Sequence, residues 1–176
     1  FVLTLADGTA AAQEAAQARN RKLVASSRIG TWLPRYAVRG KRGQTLSRNT
    51  LVSCRDVRRP TTYSGTGLLT VLTIDLRKGL APVDSEAVLA DGQTVYASQN
   101  SLYVATQRWL AQPVQTNGNP PRMTTSIHRF DISDPLRTHY RSTGAVSGYV
   151  LNQWALSEYK NVLRVVNRIG LAESDD

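Results

Sequence analysis

One strand grammar is written twice along this chain. Thr73-Ile74-Asp75-Leu76 is followed, after a variable segment, by Ser101-Leu102-Tyr103-Val104-Ala105-Thr106, and Arg129-Phe130-Asp131-Ile132 is followed by Val162-Leu163-Arg164-Val165-Val166-Asn167. The offset from Asp75 to Asp131 is about 56 residues and that from Leu102 to Leu163 about 61, a period that marks an array of β-modules. Such an array constrains shape strongly and chemistry weakly, because function resides in sites carried by a fold.

Around this repeat the strands follow from alternation and turn residues. Phe1 to Leu5 alternate as a strand before the turn at Asp7-Gly8. Gly65 to Leu76 is rich in β-branched residues and predicts a long strand. A short strand follows within 82–92, and 94–98 with 101–106 form a hairpin turned at Gln99-Asn100. In the second copy, strands are expected at 124–132, 138–144, 148–157 and 162–167, the last pair hinged at Lys160-Asn161. One segment breaks the β pattern. Thr9 can cap a helix, and residues 9–26 are mostly strong helix formers with an alanine face, which predicts an inserted surface helix.

The expected organisation is a leading strand, helix and basic segment over 1–64, a first blade over 65–110 and a Pro/Gly/Asn linker over 111–122. A second blade over 123–170 and a tail over 171–176 complete it. Each copy then offers about four short strands in up-and-down order, the make-up of one propeller blade. The fold class is mainly β: a partial β-propeller of two to three four-stranded antiparallel blades with an N-terminal inserted helix. Too few blades are present to close a ring, so missing blades or edge-strand pairing are the expected neighbours.

Charge is concentrated. Of a formal net +9, residues 35–59 carry +7, through Arg35, Arg39, Lys41, Arg42, Arg48, Arg55, Arg58 and Arg59 against Asp56 alone. These eight cations are the candidate anion-binding residues, suited to anionic lipid or an anionic envelope polymer. The competing reading is a mobile, solvated Gly/Ser/Arg loop. Nucleic acid is not the expected partner, since Gly40-Lys41-Arg42-Gly43-Gln44 lacks interleaved aromatics for stacking bases. No apolar run reaches the roughly 20 residues of a membrane span.

Catalytic patterns fail one by one. Tyr63-Ser64-Gly65-Thr66-Gly67 lacks the first glycine of a nucleophile elbow. Thr70 occupies the third glycine position of a dinucleotide-binding loop. His128 and His139 read as strand residues, with His128 and Phe130 on one face and Asp131 on the other; a metal pair with Asp131 or Asp134 is the rival reading. Asp75 and Asp131 read as repeated turn residues in preference to carboxylate catalysts or calcium ligands. Trp32, Trp109 and Trp154 are expected to pack between blades, and the single cysteine, Cys54, to be half-buried. No catalytic residue, metal ligand or cofactor is assigned.

Several stretches together resemble a known family. They are Trp32-Leu33-Pro34-Arg35-Tyr36, the run from Leu69 to Leu76, Ala90-Asp91-Gly92 through Ser98, Ser101 through Trp109, Thr125 through Ile132, and Gly148 through Glu158. Their order is similar to that in bacterial secreted proteins with a C-terminal β-propeller domain, distantly related to WD40-type repeats. The resemblance spans most of residues 30–167 and leaves out the helix. It implies a secreted or cell-envelope-associated propeller with no family catalytic residues to carry over. The resulting expectation is a non-catalytic binding or scaffolding segment whose partner is a protein or an anionic envelope polymer. The alternatives are a hydrolase or lyase with an axial site completed by other blades, or an anion-binding module built on residues 35–59.

Overall fold

The computed structural model describes residues 8–61, 64–65, 67–108 and 123–169. The expected strand at Phe1–Leu5, the linker at 111–122 and the tail at 171–176 lie outside them. The chain divides into two compact units, Phe1–Cys54 and Arg55–Asp176.

In the first unit, α1 runs over Ala10–Ser26 and α2 over Ile29–Trp32. The expected cap is in place: the Thr9 hydroxyl accepts the Ala12 N–H at 3.3 Å, satisfying one of the donors that a helix start leaves open. Ala16 is the one buried residue of α1, as a face made of alanine dictates. β1 (Arg35–Arg39) and β2 (Thr45–Thr50) form an antiparallel hairpin.

The second unit is a succession of short strands. These are β3 (Val57–Arg58), β4 (Leu68–Thr73), β5 (Asp84–Leu89), β6 (Thr94–Ala97), β7 (Ser101–Arg108), β8 (Thr124–Asp131), β9 (His139–Ser147), β10 (Leu156–Tyr159) and β11 (Val162–Val165). They make a three-stranded sheet in the order β3-β5-β4, a four-stranded meander β6-β7-β8-β9, and a two-stranded sheet β10-β11. The architecture is mainly β and that of a partial β-propeller. The two turns are as expected: Ser98 N–H meets the Ser101 carbonyl across Gln99-Asn100. Lys160 and Asn161 take positive φ of 50° and 62°, the conformation of a tight hairpin turn that follows strand twist.

The meander lies across the expected blade boundary. β7 pairs with β8 from Ser101↔Asp131 to Arg108↔Thr124, so strands assigned to 65–110 and to 123–170 share one sheet. The sheet with the four antiparallel strands of a blade is therefore β6 to β9, and neither expected stretch holds it alone. A repeat length fixes recurrence; only pairing fixes where a unit begins. Two strands also differ from expectation. The long strand stops at Thr73, and 148–155 is a bend and a 3-10 turn before β10 begins.

The meander is covered on both faces. Phe130 and Val104 pack with Val88 and Ala90, while Leu69 and Val71 of β4 close that layer. On the other face Tyr103, Ala105 and Ile127 pack with Leu163 and Val165 of β11. Adjacent residues thus serve opposite layers, as the two-residue strand period requires. Full burial of a side chain such as Phe130 or Val104 contributes about 1.5–3 kcal/mol.

Candidate functional site

Five of the eight candidate cations stand on the hairpin of the first unit. Along β1 the exposed and half-buried positions alternate, so Arg35 and Arg39 share the open face while Tyr36 and Val38 share the other. Arg48 lies opposite Ala37 and therefore on the face of Arg35 and Arg39, diagonally between them. Lys41 and Arg42 sit at the tip, where Gly43 takes φ +79° and its N–H bonds the Gly40 carbonyl at 2.9 Å. Gly40 N–H in turn bonds the Gln44 carbonyl, and Leu51 N–H bonds the Pro34 carbonyl at the base. The loop reading therefore applies only to the tip. Residues 35–50 are an ordered hairpin because Tyr36, Val38, Thr45 and Thr50 favour strands and Gly40 and Gly43 permit a tight reversal. Among the described residues, none of these five side chains makes an ion pair.

Arg55, Arg58 and Arg59 belong to the second unit. Arg55 lies in a 3-10 turn, Arg58 on β3. Arg58 is engaged already: its guanidinium stands 3.6 Å from Glu86, whose side chain is nearly enclosed. Burial pushes the Glu86 carboxyl up, with the Arg58 charge opposing it. The charged run in sequence thus becomes five cations on one hairpin and three on a different unit.

The repeated aspartates hold turns, as expected. Asp75 accepts the Arg77 N–H at 3.0 Å and Asp131 accepts the Ser133 N–H at 3.0 Å. Each is also bonded by an arginine, Arg77 and Arg141 respectively. The Asp131 carboxyl is held well below the ordinary carboxylate range by its Ser133 bonds, with Arg141 adding to them. The rival metal reading loses this carboxylate to its own turn. His128 is fully buried on β8, its Nδ1 bonded to the Thr143 hydroxyl at 2.9 Å, its Nε2 without a partner among the described residues. Burial lowers its pKa, disfavouring the charged ring. Phe130 and His128 both meet the Tyr140 ring, which confirms their shared face. His139 begins β9 and is exposed.

The glycines of the failed nucleophile elbow have a different task. A Cβ on Gly65 or Gly67 would collide with the Asp91 carboxylate. The Gly67 N–H donates to that carboxylate at 2.9 Å. The motif is a close-approach joint.

A polar network between the meander and β10 was not visible in the sequence. Glu158 accepts from the Ser98 hydroxyl at 2.7 Å, and its N–H donates to the Tyr96 hydroxyl at 3.0 Å. Arg129 donates twice to the Ser101 hydroxyl, at 3.1 and 3.2 Å. The Ser98 bond draws the Glu158 carboxyl down, and burial pushes the Tyr103 hydroxyl up. The partners lie 60 residues apart, so no local pattern joins them; the serine pair flanking Gln99-Asn100 is the only hint.

The aromatic contacts of the meander are cross-strand pairs of tyrosine and phenylalanine within one sheet. Tyr96 stacks on Tyr103 at 6.0 Å and Phe130 meets Tyr140 edge-on at 5.4 Å. Trp154 is 84% exposed and Trp32 about half exposed, contrary to the packing role expected of them; Trp109 lies outside the described residues. Cys54 is exposed, not half-buried. No helix among the described residues is long and apolar enough to cross a membrane.

Comparison with known proteins gives one result. A family model described as "Beta propeller domain" matches residues 3–176. No curated protein and no solved structure matches the chain.

Proposed function

We propose, from the premise that this chain belongs to the β-propeller domain family, that it is a non-catalytic, extracytoplasmic binding module whose partner is an anionic envelope polymer. Membership supports binding or scaffolding in general. The observation that carries the finer reading is the basic hairpin: Arg35, Arg39 and Arg48 on one face, Lys41 and Arg42 at the tip. Three guanidinium groups within cross-strand reach repel one another unless an anion lies between them, and Arg presents paired donors suited to phosphate or carboxylate. The carboxylates of Asp75, Asp131 and Glu158 in the second unit, by contrast, are spent on turns and on a joint between sheets. A location outside the cytoplasm rests on the resemblance to secreted bacterial propellers.

Binding to polyglycerol phosphate tests the reading. Changing Arg39, Lys41, Arg42 and Arg48 together to Gln is expected to abolish salt-sensitive binding, since each lost phosphate contact also reduces the salt dependence. Unchanged binding by the quadruple variant removes this surface from consideration. Vesicles rich in anionic lipid serve as the second arm; preference for them over the polymer assigns the surface to a membrane.

A further inference from the structure

The open face of the basic hairpin is built in rows. Arg35 stands opposite Thr50, Ala37 opposite Arg48, and Arg39 opposite Thr45, and all six positions are exposed. Each row therefore carries one cation, which alternates from β1 to β2 and back to β1. Alternate residues of a strand lie about 6–7 Å apart along its axis, so the three rows set their cations at even intervals over about 13 Å. Lys41 and Arg42, in the turn closed by the Gly43 N–H on the Gly40 carbonyl, continue the line beyond Arg39. The other face of the hairpin presents Tyr36 with Asn49 and Val38 with Ser47, none of them charged.

The residues across from the cations suit a chain of anions. The short side chain of Ala37 keeps the middle row clear beside Arg48, and the hydroxyls of Thr50 and Thr45 stand across from Arg35 and Arg39. A guanidinium offers paired donors to a phosphate, and a threonine hydroxyl adds a further donor to the same class of acceptor. A free phosphate fills one row. An extended polymer with a three-carbon alcohol between successive phosphodiesters repeats at nearly the row spacing and fills them all. None of the six positions on this face is aromatic, so the bases of a nucleic acid would find no ring there to stack on.

We propose, resting on the reading of the hairpin as a site for an anionic polymer, that this face is a track for an extended run of glycerol-linked phosphodiesters. One phosphate takes each row and the tip cations take the next, about five in all at one phosphate per cation. Once the first phosphate is seated, its neighbours meet the adjoining rows at high effective concentration, so affinity climbs with each added phosphate until the track is full. The track distinguishes a polymer by the interval between its charges, which attraction by net charge alone does not do.

Isothermal titration calorimetry with glycerol phosphate oligomers of increasing length tests it. The dissociation constant is expected to fall about three- to tenfold with each phosphate up to about five, and by less than about twofold for each one after that. At full occupancy the logarithm of the association constant should fall against that of salt with a slope of about −3 to −4, as for a single phosphodiester strand. Two variants separate the track from net charge. Ala37→Glu sets a carboxylate among the three arginines and is expected to weaken the five-phosphate oligomer by more than about tenfold; Asn49→Glu adds the same charge on the other face and is expected to weaken it by less than about threefold. Circular dichroism checks that both fold, and the length series on the unaltered chain needs no substitution. Affinity that climbs without a plateau, equal losses in the two variants, or tighter binding of an oligothymidylate with the same number of phosphates overturns the track while leaving the hairpin as a general anion site. Failure of every oligomer and of polyglycerol phosphate itself overturns the underlying reading as well.

Discussion

The two units use the same strand alternation to opposite ends. Residues 1–54 hold nine Lys and Arg against Asp7 and Glu14, +7 of the chain's +9, while residues 55–176 hold thirteen against eleven acids. Ala16 and Val52 are the buried hydrophobic residues described in the first unit; both core clusters lie in the second. β1 alternates exposed and half-buried positions, whereas β8 is buried on both faces through most of its length. Alternation sets which residues share a face. A covering neighbour decides whether that face becomes core or surface. The first unit thus presents charge, and the second supplies the cohesion of a propeller.

The comparison breaks most visibly in the core. Phe130→Ala, at a site with no exposure, is expected to cost about 3–5 kcal/mol of unfolding free energy in urea. A smaller loss than any first-unit variant produces would contradict the division drawn here. Next comes Asp131→Ala, expected to cost about 1 kcal/mol at neutral pH through the lost turn and Arg141 bonds. Because the folded carboxyl titrates below its ordinary value of about 3.8, its contribution is complete above that pH and is lost as pH falls toward the folded value. Urea titrations of parent and variant should therefore converge in acid.

The helix cap sharpens the contrast from the other side. Thr9→Ala is expected to reduce helix stability by about 1 kcal/mol, seen as a loss of helical circular dichroism with the urea midpoint of the β signal unmoved. The smallest effect belongs to Arg35→Gln, Arg39→Gln and Arg48→Gln combined, expected to change stability by no more than about 0.5 kcal/mol. Differential scanning calorimetry reads that value, and a large destabilisation would show that these side chains pack rather than present charge.

Local chemistry was legible. Thr9 before a run of alanines, Gln99-Asn100 between two alternating segments, Lys160-Asn161, and the two aspartates at strand ends all state their structure within a few residues. What depended on distant partners was hidden. Gly40-Lys41-Arg42-Gly43 reads as a loop until Arg35–Arg39 and Thr45–Thr50 are seen to pair. Trp154 reads as a core residue until the turn that carries it faces solvent. Glu158 and Ser98 meet only because β10 packs beside the meander. The eight cations look continuous along the chain because sequence separation is blind to a boundary near Cys54.

Sequence by itself determined the mainly β class, the capped helix, most strands of the second unit and the turn roles of Asp75 and Asp131, because alternation and turn chemistry are local properties. The tertiary structure decided which strands share a sheet, the burial of His128, and the division of the cations between two units. The reason is physical: a strand leaves its edge groups unsatisfied and accepts any neighbour of matching pattern. Which neighbour it takes is a property of the assembled sheet.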